Sequence, residues 1–418
     1  MSQIRKKFKF INAIILTIRE DYSSIEELQQ LLSTLDIRVT EVICQKRTEP
    51  DARYYFGLGK IEKLKELIKL IGVSLVVIDD EITPLQAKNL EKQLNITVKD
   101  RTQIILEIFA RHATTEEGKL QVELASLQYE LPRLVGQGKE LSRLGGGIGT
   151  RGPGEQEIEE KRRKIRERIR VLKQRLVQIE KNRAQQRKLR LKSELPMISV
   201  VGYTNAGKSS LIKALSGDDV FVADKLFSTL APVIRRVKLP SGRLALFKDT
   251  VGFIRNVPHT LIKAFKSTLE EILFSDLIVI VVDVSDENFN EKLKSSLRVL
   301  EELEALFIPR LLAFNKIDRV SSHVLQDLSV TYPEAIFISA LQGIGIQELL
   351  KRVCEEIEKN ECEDLFAVKL EDLPLLMKEK EKITITEQVY HDDTVMVRVR
   401  AKSSILERLK QITGGMNS

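Results

Sequence analysis

MISVVGYTNAGKSS (Met197–Ser210) is the stretch that decides the fold of the chain's second half. An apolar run leads into Gly202, Tyr203, Thr204, Asn205, Ala206, Gly207, Lys208 and Ser209, which match G-x4-G-K-[ST], and Ser210 opens a helical pattern. That strand–loop–helix order is what a phosphate-cradling loop requires. The glycines let backbone N–H groups turn inward onto phosphate oxygens, and the helix that follows adds its positive N-terminal end. In this reading Lys208 reaches the β- and γ-phosphates and Ser209 binds Mg²⁺. Taken alone, the motif also fits a plain glycine-rich turn between a strand and a helix.

Three further elements follow in the order a guanine-nucleotide site needs. DTVG (Asp249, Thr250, Val251, Gly252) ends a strand. There Asp249 can hold Mg²⁺ through water, and the Gly252 amide can contact the γ-phosphate. NKID (Asn315, Lys316, Ile317, Asp318) follows another apolar run. A carboxylate at Asp318 can accept hydrogen bonds from both N1–H and the 2-amino group of guanine. Adenine lacks both donors, so the motif selects GTP or GDP over adenine nucleotides. SAL (Ser339, Ala340, Leu341) can offer its backbone to the guanine O6. Each later element is weak alone, and the ordered set predicts a GTP-binding domain.

Between the first and second motifs lies LFSTLAP, with Phe227, Ser228 and Thr229 as candidate contacts. Thr229 is the hydroxyl chosen to close onto Mg²⁺, and Ser228 is its competitor. Lys208, Thr229 and Gly252 are the expected catalytic set. Phe253 stands where many GTPases carry a water-orienting glutamine. An aromatic ring cannot orient water by hydrogen bonding, so slow intrinsic hydrolysis raised by a partner is expected. Asn205 has two readings: its carboxamide oxygen ligates K⁺ beside the phosphates, or it braces the loop.

Composition bounds the rest. A chain of 418 residues suggests about three domains. Its 43% hydrophobic and 30% charged content is globular, which excludes a wholly disordered or collagen-like chain. Three cysteines (Cys44, Cys354, Cys362) without CxxC spacing, together with four scattered histidines, argue against a disulfide framework and a zinc site. No run reaches the ~18 apolar residues of a membrane span. MSQIRKKFKFINAIILTI at the start reads as a first strand rather than a signal peptide, because no small-residue cleavage site follows. A cytoplasmic protein is expected.

The chain reads as a multidomain α/β protein in four parts. Residues 1–114 alternate strand-like runs (FINAIILTI, IRVTEVICQ, VSLVVIDD) with helical patterns, which predicts an α/β layer domain. Residues 115–194 read as an antiparallel helical hairpin whose first helix covers about Thr115–Leu131. Its turn, LGGGIGTRGPGE (Leu144–Glu155), holds six glycines and one proline. Ile158, Ile165, Ile169, Leu172, Leu176 and Ile179 form one seam on the second helix, which runs to about Arg190. Residues 139–192 carry 18 Lys/Arg against 7 Glu, a net +11, while the whole chain is only +7. Such a basic arm suits a polyanionic partner, although a solvated helical linker is the plainer reading. Residues 195–362 form the P-loop GTPase domain, and 363–418 a small α+β unit.

With these residues in view, the chain resembles the HflX family of ribosome-associated GTPases, in the Obg–HflX superfamily. The resemblance covers nearly the whole chain. It rests on YYFGLGK (Tyr54–Lys60), DRTQIILEIFARHATTEEGKLQVELA (Asp100–Ala125), GGGIGTRGPGE, GYTNAGKSSL and DTVGFIRNVPHTLIKAFKSTLEE (Asp249–Glu271). It implies an N-terminal HflX domain, binding to the large ribosomal subunit and its rRNA, and GTP-linked splitting or rescue of stalled or idle ribosomes. It also implies that the glycine-rich arm loop meets rRNA, with contacts at Arg143, Gly146, Gly147 and Arg151. One departure stands out. The family switch usually reads TLDPT, whereas Ala231 and Val233 replace the Asp and the second Thr here.

Two further expectations stay open. FGLGK (Phe56–Lys60) precedes a helix and either binds a second purine nucleotide, as the family has been proposed to bind ATP in this domain, or forms an RNA contact or a simple helix start. The alternative overall function is a large-subunit assembly factor or RNA chaperone that uses GTP as a timer. A tRNA-modification GTPase is disfavoured, because Cys354 and Cys362 lie well before the C-terminus.

Overall fold

A computed structural model describes residues 11–144, 153–217, 233–255 and 269–412. Two compact units divide them: 11–179 with Arg255, and the remainder from Glu180 onward. Among the described residues the chain builds three sheets.

The first unit opens with β1 (Ile11–Thr17), α1 (Tyr22–Thr34), β2 (Ile37–Cys44), α2 (Leu58–Ile71), β3 (Leu75–Ile78), α3 (Pro84–Leu94), β4 (Thr97–Asp100) and α4 (Arg101–His112). The strands pair in parallel in the order β2-β1-β3-β4. Ile14, Ile15, Leu16, Val76 and Val77 are fully buried, as expected of strands covered by helices on both faces. Helix starts follow their capping chemistry. Thr83 and Gln86 form a capping box with Pro84 in the first turn, and Asp100 and Gln103 form another. The pair β4 and α4 is absent from the sequence reading, because TVKD is too short to show a strand period.

Asp100 does more than cap. Its carboxylate, wholly buried, also accepts from Arg133 at 2.6 Å and from the Tyr129 hydroxyl, both on α5 (Glu116–Leu144). This footing explains why α5 continues to Leu144, well past the expected end near Leu131. A proline inside a helix removes one backbone bond and costs ~3 kcal/mol. Here Pro132 lies between Tyr129 and Arg133, whose bonds to buried Asp100, with burial of Leu134, offset that cost. The next helix, α6 (Pro153–Ser193), runs antiparallel to α5. Arg168 grips Glu123 at 2.6 and 2.9 Å, and Lys161 reaches Glu130 at 3.0 Å, so the contacts step in opposite directions along the two helices. Leu120, Leu124 and Leu172 form the buried seam, flanked by Ile169, Leu176 and Ile179. The glycine-rich turn 145–152, with Gly146, Gly147 and Arg151, lies outside the described residues, and Arg143 falls in the last turn of α5.

The second unit contains β5 (Met197–Gly202), α7 (Lys208–Ser216), β6 (Val233–Lys238), β7 (Leu244–Asp249), β8 (Leu277–Asp283), α8 (Phe289–Glu302), β9 (Arg310–Asn315), α9 (Ser322–Thr331), β10 (Ile336–Phe337) and α10 (Ile346–Glu358). Strand order is β10-β9-β8-β5-β7-β6, parallel except for β6 against β7. Apolar clusters cover both faces, and the chain leaves β5, β7 and β9 on the same edge. In an open α/β sheet that carboxyl edge is where ligands bind.

After α10 the chain forms β11 (Cys362–Lys369), α11 (Leu373–Met377), β12 (Thr384–His391), β13 (Thr394–Ala401) and α12 (Ser403–Ile412), with an antiparallel sheet ordered β11-β13-β12. Polar clamps join it to the six-stranded sheet. Arg243 grips Glu361 at 2.6 and 2.7 Å with both side chains buried, and the Leu244 amide donates to the Glu381 carbonyl at 2.9 Å. Glu194, between α6 and β5, has φ +58° and accepts from Ser404 and Arg408 of α12. Arg243→Lys keeps the charge and loses the two-pronged geometry. It is expected to cost about 2 kcal/mol, seen as a lower thermal midpoint, whereas an unchanged midpoint would remove this clamp from the account.

Candidate functional site

The loop after β5 is shaped by close backbone approaches. Gly202 sits at φ +148°, and a Cβ there would lie 2.2 Å from the Val281 carbonyl oxygen. Gly207 sits at φ +93°, and a Cβ there would lie 2.2 Å from Asn315 Nδ2. Only glycine fits either position. The Lys208 ammonium folds back into the loop, donating to the Gly202 carbonyl at 3.1 Å and the Tyr203 carbonyl at 2.8 Å. Burial pushes its pKa down to about 8, and the Asp249 carboxylate opposes that shift.

DTVG closes on this loop from β7. Ser209 Oγ donates to Asp249 Oδ2 at 2.7 Å, and Thr250 Oγ1 donates to the Val200 carbonyl at 2.8 Å. A Cβ on Gly252 would fall 2.9 Å from Lys208 Nζ and 2.8 Å from Thr204 Cγ2. The Thr204 amide donates to the Phe253 carbonyl at 2.7 Å, and the Phe253 amide donates to the Gly202 carbonyl at 3.0 Å. Val251 and Phe253 are buried, and the Phe253 side chain belongs to the apolar cluster that holds Tyr203, Ile278 and Ile280.

NKID and SAL converge beside the loop. Asn315 Nδ2 donates to the Ala206 carbonyl at 2.8 Å, and its Oδ1 accepts from the Ala340 amide at 3.0 Å. One buried side chain thus ties three motifs together. Asp318 accepts from Ser339 Oγ at 2.5 Å, and Ser339 Oγ accepts from the Gln342 amide at 3.2 Å. Leu341 is exposed, and Ser210 lies in the first turn of α7. Asn205 is exposed at φ +60°, and its side chain makes no hydrogen bond among the described residues, so the loop-bracing reading has no partner there.

Phe227, Ser228, Thr229 and Ala231 lie outside the described residues, and Val233 begins β6. At FGLGK, α2 starts at Leu58, and the Gly57 amide is engaged by Gln45 Oε1 at 3.0 Å. Two supports were missed in the sequence. Lys316, at φ +66°, pairs with Asp283 at 2.6 Å, and buried Lys248 pairs with Glu271 at 2.9 Å. Each had a signal: an acid closing the apolar run Leu277–Asp283, and a lysine inside LALFKD.

A parallel sheet that carries this loop, DTVG, NKID and SAL along one edge defines a P-loop GTPase. Comparison with known proteins narrows the class. Residues 22–110 match a family model described as "GTP-binding GTPase N-terminal", 112–190 one described as "GTP-binding GTPase Middle Region", and 197–316 one described as "50S ribosome-binding GTPase". The GTPase HflX of Caldanaerobacter subterraneus subsp. tengcongensis is 43% identical over 97% of this chain and 94% of that protein. The GTPase HflX of Escherichia coli is 40% identical over 82% of this chain and 81% of its own length. A GDP-bound GTP-binding protein from Sulfolobus solfataricus is 26% identical, covering 84% of this chain and 99% of that one, with a TM-score of 0.44. The chain belongs to the HflX GTPase family. Among the described residues no helix is long and apolar enough to cross a membrane, and no group of three or more metal-ligating side chains occurs.

Proposed function

We propose that the protein binds the large ribosomal subunit in its GTP state, splits or rescues stalled or idle ribosomes, and leaves after hydrolysis. The observation that carries this reading is kinship with HflX GTPases along 97% of the chain. The strongly basic segment 139–192 supports it, because each neutralised rRNA phosphate releases counterions. The driving quantity is differential affinity: the GTP form must hold the subunit better than the GDP form.

In this reading Lys208 leaves its carbonyl partners for the β- and γ-phosphates, and amides of the Tyr203–Ser210 loop line the phosphates, apart from those of Thr204 and Ala206, which the Phe253 and Tyr203 carbonyls hold. Ser209 and Asp249 bring a hydroxyl and a carboxylate oxygen within 2.7 Å, a donor set that suits Mg²⁺, with Thr229 as the third candidate ligand. Mg²⁺, when bound, neutralises phosphate charge. Gly252 offers its amide to the γ-phosphate. Asp318 accepts from guanine N1–H and the 2-amino group, Asn315 and Lys316 frame the base, and Ser339–Leu341 offer their backbone to O6. The exposed Asn205 carboxamide suits a K⁺ ion. Cytoplasmic placement follows from the ribosomal partner. Hydrolysis is slow alone, because the buried Phe253 supplies no polar group to the attacking water.

GTP turnover with and without purified large subunits, in K⁺ and in Na⁺, tests this. Stimulation of more than about tenfold is expected, since partner-ordered sites gain several orders of magnitude. Rate dependence on K⁺ supports the Asn205 role. No stimulation in either salt sinks the coupled mechanism. Stimulation without separation of intact ribosomes favours the assembly-factor alternative.

A further inference from the structure

We propose that the Thr204 hydroxyl is a catalytic group for GTP hydrolysis, holding the attacking water that Phe253 cannot hold. The inference rests on the nucleotide site described above and assigns the loop a role beyond cradling phosphate.

Thr204 is only 7% exposed, and its Oγ1 is buried with no hydrogen-bond partner among the described residues. Leaving a buried hydroxyl unmatched costs about 1–3 kcal/mol. Protein interiors seldom tolerate that unless water, an ion or a ligand supplies the partner. The backbone of the same residue is matched, since its amide donates to the Phe253 carbonyl at 2.7 Å. The deficit therefore belongs to the side chain alone.

Its position says which ligand. Thr204 Cγ2 and Lys208 Nζ lie 2.8 and 2.9 Å from the point where a Cβ on Gly252 would stand. Both side chains border the small space that the missing Cβ leaves open. In the proposed site Gly252 contacts the γ-phosphate, which puts Thr204 at the reacting end of GTP rather than at its base. Phe253 turns its ring into the apolar cluster with Tyr203, Ile278 and Ile280 and contributes no polar atom. The Thr204 methyl faces that space, and the hydroxyl sits on the same Cβ, so a turn about χ1 brings Thr204 Oγ1 to the γ-phosphate side.

The step balances without consuming the residue. The water oxygen bonds to the γ-phosphorus, and the bond from phosphorus to the β–γ bridging oxygen breaks. The bridging oxygen leaves with its electron pair on GDP, and the water proton ends on the released phosphate. Throughout, Thr204 Oγ1 accepts a hydrogen bond from the water and fixes its line of attack.

Thr204→Val keeps the shape and β-branching and deletes the oxygen. The test measures single-turnover GTP hydrolysis, affinity for a fluorescent GTP analogue, and the thermal midpoint, in wild type, Thr204→Val and Thr204→Ser. Thr204→Val is expected to hydrolyse about tenfold or more slowly, in line with the loss of one well-placed polar group. Its GTP affinity should be unchanged, and its midpoint unchanged or raised, since an unmatched buried hydroxyl is gone. Thr204→Ser should restore most of the rate. A wild-type rate in Thr204→Val overturns the proposal. So does a joint fall of rate, affinity and midpoint, which would mark a purely structural residue. Undiminished GTP binding by Lys208→Met would instead remove the underlying site reading, and the proposal with it.

Discussion

Asp318→Asn is expected to weaken GTP binding by about 10²–10⁴-fold and to shift preference toward xanthosine triphosphate. The physical basis is donor and acceptor matching. Guanine presents N1–H and a 2-amino group, both donors, and a carboxylate accepts from both. The carboxamide of the variant would keep one acceptor and replace the other with an amide donor facing the 2-amino group. Two hydrogen bonds to a charged group, at about 1.5–3 kcal/mol each, set the size of the loss. Xanthine carries a carbonyl at C2, so the new amide finds an acceptor there. The surrounding structure should survive, because Ser339 Oγ donates to Asp318 Oδ1 and a carboxamide oxygen in its place accepts equally well. The scaffold made by Asn315 with Ala206 and Ala340 does not involve residue 318. Competition of a labelled guanine nucleotide by GTP and by the xanthine analogue, with a thermal melt beside it, gives the answer. Unchanged guanine preference with an intact melt would mean that the base is read elsewhere than at Asp318.

The residues that position this site were unequally visible in the sequence. Gly202 and Gly207 were legible because backbone crowding admits only one residue type, and their spacing to Lys208 is fixed by the loop. The buried strands were legible because runs such as LIVIVVD have few other homes. Asn315 belongs to NKID and so counts as a nucleotide-site residue, while its larger structural work, joining Ala206 to Ala340, depends on a packing distance that no local pattern encodes. Asp283 and Lys316 are far apart in the chain and meet at 2.6 Å only because β8 and β9 are neighbours. β6, β11 and α11 went unread for a related reason. VIRRVK pairs on one side only, at a sheet edge, and its half-buried residues show a weak apolar pattern.

Pro132 and Glu194 show a different limit. Local rules place a helix end at Pro132, and tertiary bonds from Tyr129 and Arg133 to Asp100 override them. Glu194 occupies a left-handed conformation that its type does not favour, and Ser404 and Arg408 hold it there from more than two hundred residues away. Both positions join elements, and such joints are where local preference is most often outvoted.

Lys208→Met is the second large effect, and it acts on stability and binding in opposite directions. GTP affinity should fall by about 10²–10⁴-fold, because the charge-assisted contacts to two phosphates vanish together. The nucleotide-free protein should not be weakened. Lys208 is buried with its pKa pushed down to about 8 from an ordinary 10.5, so the fold bears the cost of holding that charge. Methionine has a similar reach and carries no charge to bury. The sign with pH follows from proton counts. Between pH 8 and 10.5 the unfolded chain holds the lysine proton more tightly than the folded one. Stability from this residue therefore rises as pH increases through that window, and below pH 8 the burial cost is fully present. Melts of wild type and Lys208→Met at pH 7 and pH 9.5 isolate the term, because every other titrating group is common to both. The wild type should gain on the variant as pH rises. A constant gap would place the Lys208 ammonium in a solvated setting. Retained GTP binding by the variant would move the phosphate site away from the loop that opens α7.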